Sequence, residues 1–178
     1  MIIRLKSLLN PLTVADRTVE DFQVHYQETQ AYVRSVIYWM VRNQVVDDLV
    51  QETYMRAWKS YKRFDGDSSF KTWIYTIAKN VTFDYLKSAK RYEELSEEKL
   101  NSLPSHGIDK ELEDLITKGL LSLNAEHREC LVLCYKLGHS SAEIAQLLKI
   151  PEGTVKSRLF YARDKFSEFL KRNGASYE

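Results

Sequence analysis

Hydroxyl, cationic and aromatic side chains share one side of a helical repeat near the end of the chain, and these are groups that can bind DNA. They are Thr154, Ser157, Arg158 and Tyr161, flanked by Lys156 and Arg163. Arg and Lys bond to phosphate oxygens and to guanine in the major groove, and hydroxyl groups can bond to base edges. The opposite side carries Val155, Leu159, Ala162 and Phe166. A helix with this apolar back and polar front is predicted to lie in a DNA groove.

A shorter helix is predicted directly before this one, so that the pair forms a helix-turn-helix between Gly138 and Arg163. Ser140 and Glu143 have the spacing of a capping box, which begins a helix. A turn follows at 149–150, and Pro151 suits the first position of the next helix because its missing N–H needs no partner there. The alternative is a plain helical hairpin whose basic side only faces water.

The composition predicts an all-α protein, and no bound metal or cofactor is expected. Its 178 residues include only 6 Gly and 3 Pro, and the apolar periodicities are helical. Basic and acidic side chains nearly balance, at 26 and 25, so a positive surface for nucleic acid must be local. No apolar run is long enough to cross a bilayer. His127, Cys130 and Cys134 offer three metal ligands where structural zinc takes four, so buried thiols in a reduced cytoplasm are expected.

The predicted helices of the first half of the chain cover residues 18–42, 46–62 and 70–90. Thr18 with Asp21 opens the first helix, and Ser68 or Ser69 caps the third after a loop at 64–68. The apolar positions of the three helices recur at helical spacing. These helices are therefore expected to form one compact domain.

An acidic stretch separates this domain from the helix-turn-helix. Helical periodicity fails after residue 91, and Pro104 and Gly107 interrupt the stretch. Such a composition is typical of a flexible linker. Two further helices are predicted at 110–121 and 124–137, so the second domain is a small helical bundle. The predicted division is an N-terminal extension at 1–17, a first domain at 18–91, the linker at 92–109 and a second domain at 110–173.

Aromatic and basic residues are interleaved between Phe64 and Arg91, which is typical of surfaces that bind single-stranded DNA. Unpaired bases stack on aromatic rings while cations contact the backbone. The cations are Lys71, Lys79, Lys87, Lys90 and Arg91. The Asn80 amide can recognise a base edge. The alternative is a tyrosine-rich core helix with solvated lysines.

Together the two surfaces resemble those of the extracytoplasmic-function (group 4) bacterial sigma factors, over about residues 19–170. The stretches that carry the resemblance are DDLVQETYMRAW (Asp47–Trp58), FDGDSSFKTWIYTIAKN (Phe64–Asn80), NVTFDYLKSAKR (Asn80–Arg91), LNAEHRECLVL (Leu123–Leu133) and the helix-turn-helix. The resemblance implies an all-α fold of two small domains, sigma region 2 and sigma region 4, joined by the linker. It also implies promoter-specific initiation by core RNA polymerase, through recognition of −10 and −35 elements and melting at −10. Asn124 and Lys156 depart from the proline and arginine usual in the family.

The resemblance implies a role for three groups of residues. Core polymerase would contact Asp47, Asp48, Leu49, Gln51, Glu52 and Arg56. Leu49 and Trp58 would lie nearer the core of the domain. The −10 element would contact Asp67, Ser68, Ser69, Phe70, Lys71, Trp73, Asn80, Lys87 and Arg91. Phe70 and Trp73 are equally suited to packing. The −35 element would contact Gly153, Thr154, Lys156, Ser157, Arg158, Phe160, Tyr161 and Arg163.

The implied partners are the β′ clamp helices and β flap of core RNA polymerase, promoter DNA and an anti-sigma factor, in the bacterial cytoplasm. No small-molecule substrate and no stable membrane insertion are expected. Two other classes of protein are alternatives. A one-component helix-turn-helix regulator would bind a duplex operator alone. A DNA recombinase would need a nucleophile or a metal–carboxylate site, and the first domain has no convincing one, so we expect no enzymatic activity.

Overall fold

The computed structural model describes residues 18–95 and 110–173. They form seven α-helices and a short 3-10 helix, Tyr61–Arg63. The first three α-helices are α1 (Val19–Val41), α2 (Val46–Ser60) and α3 (Phe70–Leu95). The other four are α4 (Lys110–Leu121), α5 (Ala125–Tyr135), α6 (Ser141–Leu148) and α7 (Glu152–Arg172). Within the described residues, none of the helices is long and apolar enough to cross a membrane.

The first domain is a bundle in which α1, α2 and α3 each pack against the other two. Its core includes Val33, Ile37 and Ile74, all fully buried. Ala57 of α2 and Ala78 of α3 are also fully buried, and small side chains at these positions let the helices approach closely. The bundle holds α3 and its preceding loop against a rigid support.

The second domain forms around the helix-turn-helix, with α7 packed against α4, α5 and α6. Cys130, Ile144 and Val155 fill its core and are fully buried. Gly119 of α4 lies so close to α7 that an added Cβ would meet the Phe166 ring at 2.7 Å. Helix α7 is therefore held along its apolar back by the other three helices.

The two domains also pack against each other, which the sequence did not indicate. Helix α1 contacts both α4 and α5. Val36 and Tyr75 of the first domain share one buried apolar cluster with Cys130 and Leu133 of the second. The closed arrangement buries apolar surface from both bundles and therefore stabilises one relative placement of the domains.

Three local features differ from, or lie beyond, the sequence predictions. Helix α3 continues to Leu95, four residues into the predicted linker. Pro151 is the N-cap of α7 rather than its first helical residue. Its φ of −58° still suits the position, and the helix begins at Glu152. The N-terminal extension at 1–17 and the linker residues 96–109 lie outside the described part of the chain.

Candidate nucleic-acid interface

The helix-turn-helix is set by two local signals. The Ser140 hydroxyl accepts from the Glu143 N–H at 3.2 Å, and the Glu143 carboxylate accepts from the Ser140 N–H at 2.8 Å. The predicted capping box is therefore confirmed. Helix α6 ends at Lys149 in the left-handed region, with φ of 55°, which turns the chain sharply towards Pro151.

Helix α7 presents its predicted polar side to solvent. Val155, Leu159 and Ala162 on the other side are buried. Of the predicted −35 residues, the exposed ones are Gly153, Lys156, Ser157, Phe160, Tyr161 and Arg163, and Thr154 and Arg158 are half-buried. The structure therefore brings all eight residues to one helix with an accessible surface, as a helix in the major groove requires.

The charged groups at the start of α7 are paired with one another. The Lys156 ammonium lies 2.9 Å from the Glu152 carboxylate, which also accepts from the Ser141 hydroxyl at 2.8 Å. The hydrogen bond from Lys156 lowers the pKa of Glu152. Exposed pairs of this kind contribute little free energy. Lys156 can therefore exchange its carboxylate partner for a DNA phosphate at small cost.

Aromatic rings form part of the same surface. The Tyr161 ring lies nearly parallel to His127 of α5, with centroids 6.2 Å apart, and Phe160 meets Tyr161 edge to face at 5.5 Å. Phe160 is 60% exposed. An exposed ring on a helix that enters the major groove can contact a thymine methyl group.

The loop before α3 is held by its own side chains. The Asp67 N–H donates to the Asp65 carboxylate at 3.1 Å, and the Ser69 hydroxyl accepts from the Thr72 N–H at 3.1 Å to cap α3. Gly66 has φ of 86°, a conformation that favours glycine. The loop backbone is therefore ordered by local bonds while its polar side chains face solvent.

Most of the predicted −10 residues are accessible around this loop and along α3. The exposed ones are Asp67, Ser68, Ser69, Lys71, Asn80, Lys87 and Arg91, and Trp73 is half-buried. Asn80, Lys87 and Arg91 follow one another at helical spacing along a single side of α3. One amide and two cations are thus aligned in a row that can follow a nucleic-acid strand.

Phe70 differs from the other predicted −10 residues because it is buried, at 6% exposure. Its ring stacks on His25 with centroids 4.2 Å apart and packs against Phe64 and Trp73 at 5.7 and 5.4 Å. This aromatic cluster fixes the start of α3 against α1. The structure favours the packing role of Phe70 over direct contact with a base.

The predicted polymerase-binding side of α2 is accessible and internally paired. Asp47, Asp48, Gln51 and Arg56 are exposed, Glu52 is half-buried, and Leu49 is buried as expected. Arg56 bonds to Glu52 at 2.7 Å and to Asp84 of α3 at 3.3 Å. Arg34 of α1 forms an ion pair with Asp47. The side is thus a polar surface on α2 that is tied to both α1 and α3.

Trp58 was expected near the core and is instead 47% exposed, because its ring lies against Phe22 in the first turn of α1 rather than inside the bundle. Met55 is 46% exposed beside it. Both residues line a groove of about 520 Å³ between α1 and α2, together with Gln51. The spacing of 51, 55 and 58 places these residues on one side of α2, a signal that could have revealed this apolar strip.

No three His, Cys, Asp or Glu side chains within 18–95 and 110–173 lie together as a possible metal site. Cys130 is buried, and burial raises the pKa of its thiol. His127 instead stacks on Tyr161. The cysteine side chains of the second domain are therefore placed as parts of its core.

Comparison with protein families matches both domains. The model of sigma-70 region 2 matches residues 25–92, and the model of sigma-70 region 4 matches residues 113–166. The first match contains the α2 surface and the α3 surface, and the second contains the helix-turn-helix. All three groups of candidate residues therefore lie inside the matched regions.

Curated relatives and solved structures agree with these matches. The ECF RNA polymerase sigma factor SigL of Mycobacterium tuberculosis is 37% identical over 123 residues, which is 65% of this chain and 69% of SigL. SigM of Bacillus subtilis is 30% identical over 135 residues, 72% of this chain and 81% of SigM. The sigma factor RpoE of Bartonella quintana, solved with the anti-sigma factor NepR, superposes with a TM-score of 0.70 at 27% identity, covering 86% of this chain and 98% of RpoE. The chain therefore belongs to the extracytoplasmic-function (ECF) family of RNA polymerase sigma factors.

Proposed function

We propose that this sigma factor recognises the −10 element with its first domain, residues 18–91, and the −35 element with its second, residues 110–173. The observation that carries the proposal is the outward side of α7, where eight candidate residues are accessible above a buried apolar back. A second polar and cationic surface lies on α3, in the other domain. Two separate DNA surfaces suit a protein that directs core RNA polymerase to a bipartite promoter.

The α2 surface is the proposed contact with the β′ clamp helices of core polymerase. Acidic and amide groups at Asp48 and Gln51 can pair with a basic partner, while Met55 and Trp58 supply apolar area. Interfaces of this kind draw most of their affinity from a few buried aromatic residues within a polar rim. We therefore add Met55 and Trp58 to the proposed polymerase-binding residues.

The loop 65–69 and the exposed side of α3 are the proposed −10 surface. Removal of a base from the duplex stack costs a few kcal/mol of free energy. The protein must therefore bind the removed base to hold the strands apart. Exposed loop hydroxyls and backbone groups can surround such a base, and the Asn80 amide can bond to a base edge. Lys87 and Arg91 continue the row and would hold phosphates.

Helix α7 is the proposed −35 recognition helix. Its N-terminus lies beside Gly153, where the positive end of the helix dipole favours a phosphate. The Thr154 N–H donates to the Pro151 carbonyl at 2.9 Å, so the Thr154 hydroxyl is its group for DNA. Lys156, Ser157 and Arg158 follow within reach of base edges or backbone. Lysine does not offer the two parallel bonds of arginine to guanine, so Lys156 would contribute mainly as a point charge.

An anti-sigma factor is a further proposed partner. RpoE of Bartonella quintana was solved with NepR, and CnrH, which superposes with a TM-score of 0.67 and covers 90% of this chain, was solved with the cytosolic domain of CnrY. CnrH is 24% identical and supports only the shared fold. The proposed place of action is the cytoplasm, where promoter DNA and polymerase meet. The β flap is the proposed polymerase contact of the second domain.

The test is reconstitution with core polymerase. The purified chain should co-elute with core enzyme on size exclusion and should support run-off transcription from bound genomic promoters. Templates altered only at −10 or only at −35 should each lose activity. Absence of any complex with core polymerase would contradict the proposal. Tight sequence-specific binding to intact duplex by the free chain would instead favour a one-component regulator.

A further inference from the structure

A buried carboxylate joins the two domains. Glu129 of α5 is 3% exposed, and it accepts a hydrogen bond from the Tyr75 hydroxyl of α3 at 2.6 Å. Its second carboxylate oxygen lies 3.2 Å from the Lys79 ammonium. We name Glu129, Tyr75 and Lys79 the interdomain cluster. Two of its members belong to the first domain and one to the second, so it exists only when the domains are together.

Two arginines strengthen the same contact beside α1. Arg42 ends α1 and donates to Thr117 of α4 at 2.9 Å, with its guanidinium 3.1 Å from Glu113. Arg128 of α5 donates to the Met40 carbonyl at the end of α1. A carbonyl group that the helix end leaves free is thus bonded by the other domain. These bonds can form in only one relative orientation of the two domains.

The charges of the interdomain cluster match only in the closed form. A buried carboxylate without a partner carries a large desolvation cost, and its ion pair with Lys79 and its bond from Tyr75 offset that cost. In an open form both Glu129 and Lys79 would instead be hydrated. The cluster therefore favours one closed geometry over misaligned closed geometries and is sensitive to any reversal of charge.

The closed form cannot place its two DNA surfaces on both promoter elements at once. Base pairs are spaced about 3.4 Å apart, so elements near −35 and −10 are separated by roughly 85 Å of duplex. A compact protein of this size has a diameter of about 40 Å. Lys79 also directly precedes Asn80. In the closed form it is only 27% exposed and its ammonium pairs with Glu129 at 3.2 Å. Promoter engagement therefore requires the domains to separate.

We propose that the interdomain cluster holds the free protein in a closed form that cannot occupy a promoter, with Glu129 acting as an internal substitute for a DNA phosphate at Lys79. Separation breaks this ion pair and exposes the cation beside Asn80. The part about promoters rests on the proposed function, whereas the closed form and its control by Glu129 do not.

The test is single-molecule energy transfer in the free full-length chain at pH 8, with dyes attached through unnatural amino acids at positions 62 and 165, one in each domain. Wild type should show mainly high transfer. Lys79→Glu places two carboxylates face to face and should raise the open-to-closed ratio roughly tenfold or more. The double variant Lys79→Glu with Glu129→Lys restores opposite charges and should return the ratio towards wild type.

Controls separate the cluster from general effects of charge. Glu126→Lys makes the same change of charge as Glu129→Lys on an exposed position of α5 and should leave the ratio unchanged. Tyr75→Phe keeps the buried ring but removes the hydrogen bond, and should open the protein without loss of helicity by circular dichroism. An unchanged ratio in both Lys79→Glu and Tyr75→Phe, or no recovery in the double variant, would overturn the proposal. Because no polymerase or DNA is present, this result is independent of run-off transcription.

Discussion

Trp58 of α2 meets Phe22 of α1 edge to face, with ring centroids 5.0 Å apart, and yet 47% of Trp58 remains exposed. One edge of the indole is fixed by the bundle while the rest borders the groove between α1 and α2. A rigid, half-covered aromatic ring loses little conformational freedom when a partner covers it. This relationship makes Trp58 the strongest single candidate for binding energy on the proposed polymerase-binding side of α2.

Trp58→Ala is therefore expected to weaken binding to core polymerase by roughly tenfold or more, since truncation of a central aromatic residue costs about 2 kcal/mol or more. Affinity can be measured by fluorescence anisotropy of the labelled factor with core enzyme. Val24→Ala is the control, because Val24 is 52% exposed on α1 but does not line the groove. Equal affinities for the two variants would contradict a role for Trp58.

Lys156→Ala should weaken binding to −35 DNA to a similar extent for different base sequences. Loss of one phosphate contact should reduce the slope of log affinity against log salt by about 1. Titration of holoenzyme with −35 duplexes at several salt concentrations measures this slope. Lys165→Ala is the matched control on the same helix, where Lys165 pairs with Glu168 at 3.0 Å. An equal change of slope in both variants would contradict a specific phosphate contact by Lys156.

Asn80→Ala should impair strand separation at −10 without preventing formation of the holoenzyme. An amide that bonds to a base edge contributes roughly 1–3 kcal/mol of discrimination, so open-complex formation should fall about tenfold or more. A fluorescent base analogue at −10 reports the melted state directly. Thr76→Ala, at another exposed position of α3, is the control. Normal melting by Asn80→Ala would show that its amide is not used.

Gly119→Ala should destabilise the second domain, because the new Cβ would meet the Phe166 ring at 2.7 Å and Phe169 at 3.0 Å. The control is Gly153→Ala, where no atom lies within 4 Å of the added Cβ. Both changes occur in helices, so their gains in helix propensity are comparable. The free energy of unfolding of Gly119→Ala should therefore be roughly 1–3 kcal/mol lower than that of Gly153→Ala. Urea denaturation followed by circular dichroism measures the difference.

The burial of Glu129 predicts that the free energy of unfolding depends on pH. Burial raises its pKa above the ordinary 4.5, an effect that Lys79 partly offsets. Because the folded protein binds this proton more tightly than the unfolded chain, the stability that comes from protonated Glu129 is complete below about pH 4.5 and is lost as pH rises through the raised value. Above that pH the ionised carboxylate is held by its ion pair with Lys79. The free energy of unfolding of Glu129→Gln, relative to wild type, should therefore increase from pH 4 to pH 7.

Chemical denaturation at a series of pH values measures this difference. Glu126→Gln on the exposed side of α5 serves as the control for a change of charge on the same helix. A difference between Glu129→Gln and wild type that stays constant with pH would show that Glu129 titrates alike in the folded and unfolded states.

Local features of the fold could be predicted from sequence because their causes lie within a few residues. The capping box of Ser140 and Glu143 depends only on their spacing, and the same holds for Thr18 and Asp21. The apolar back of α7 followed from periodicity, and its exposed side followed from the same pattern. The resemblance to sigma factors then supplied the partners, because it rests on the order of several such local stretches.

The sequence by itself determined the helices, the capping boxes of Thr18 and Ser140 and the exposed polar sides of α3 and α7, since short-range bonds and periodic burial decide them. Only the tertiary structure decided that Phe70 is buried, that Trp58 is exposed and that Glu129 meets Lys79. Each of these depends on which distant helix covers a given side chain, and an aromatic or charged residue has no local signal for that. The packing of one domain on the other is likewise a property of two complementary surfaces, which neither surface specifies alone.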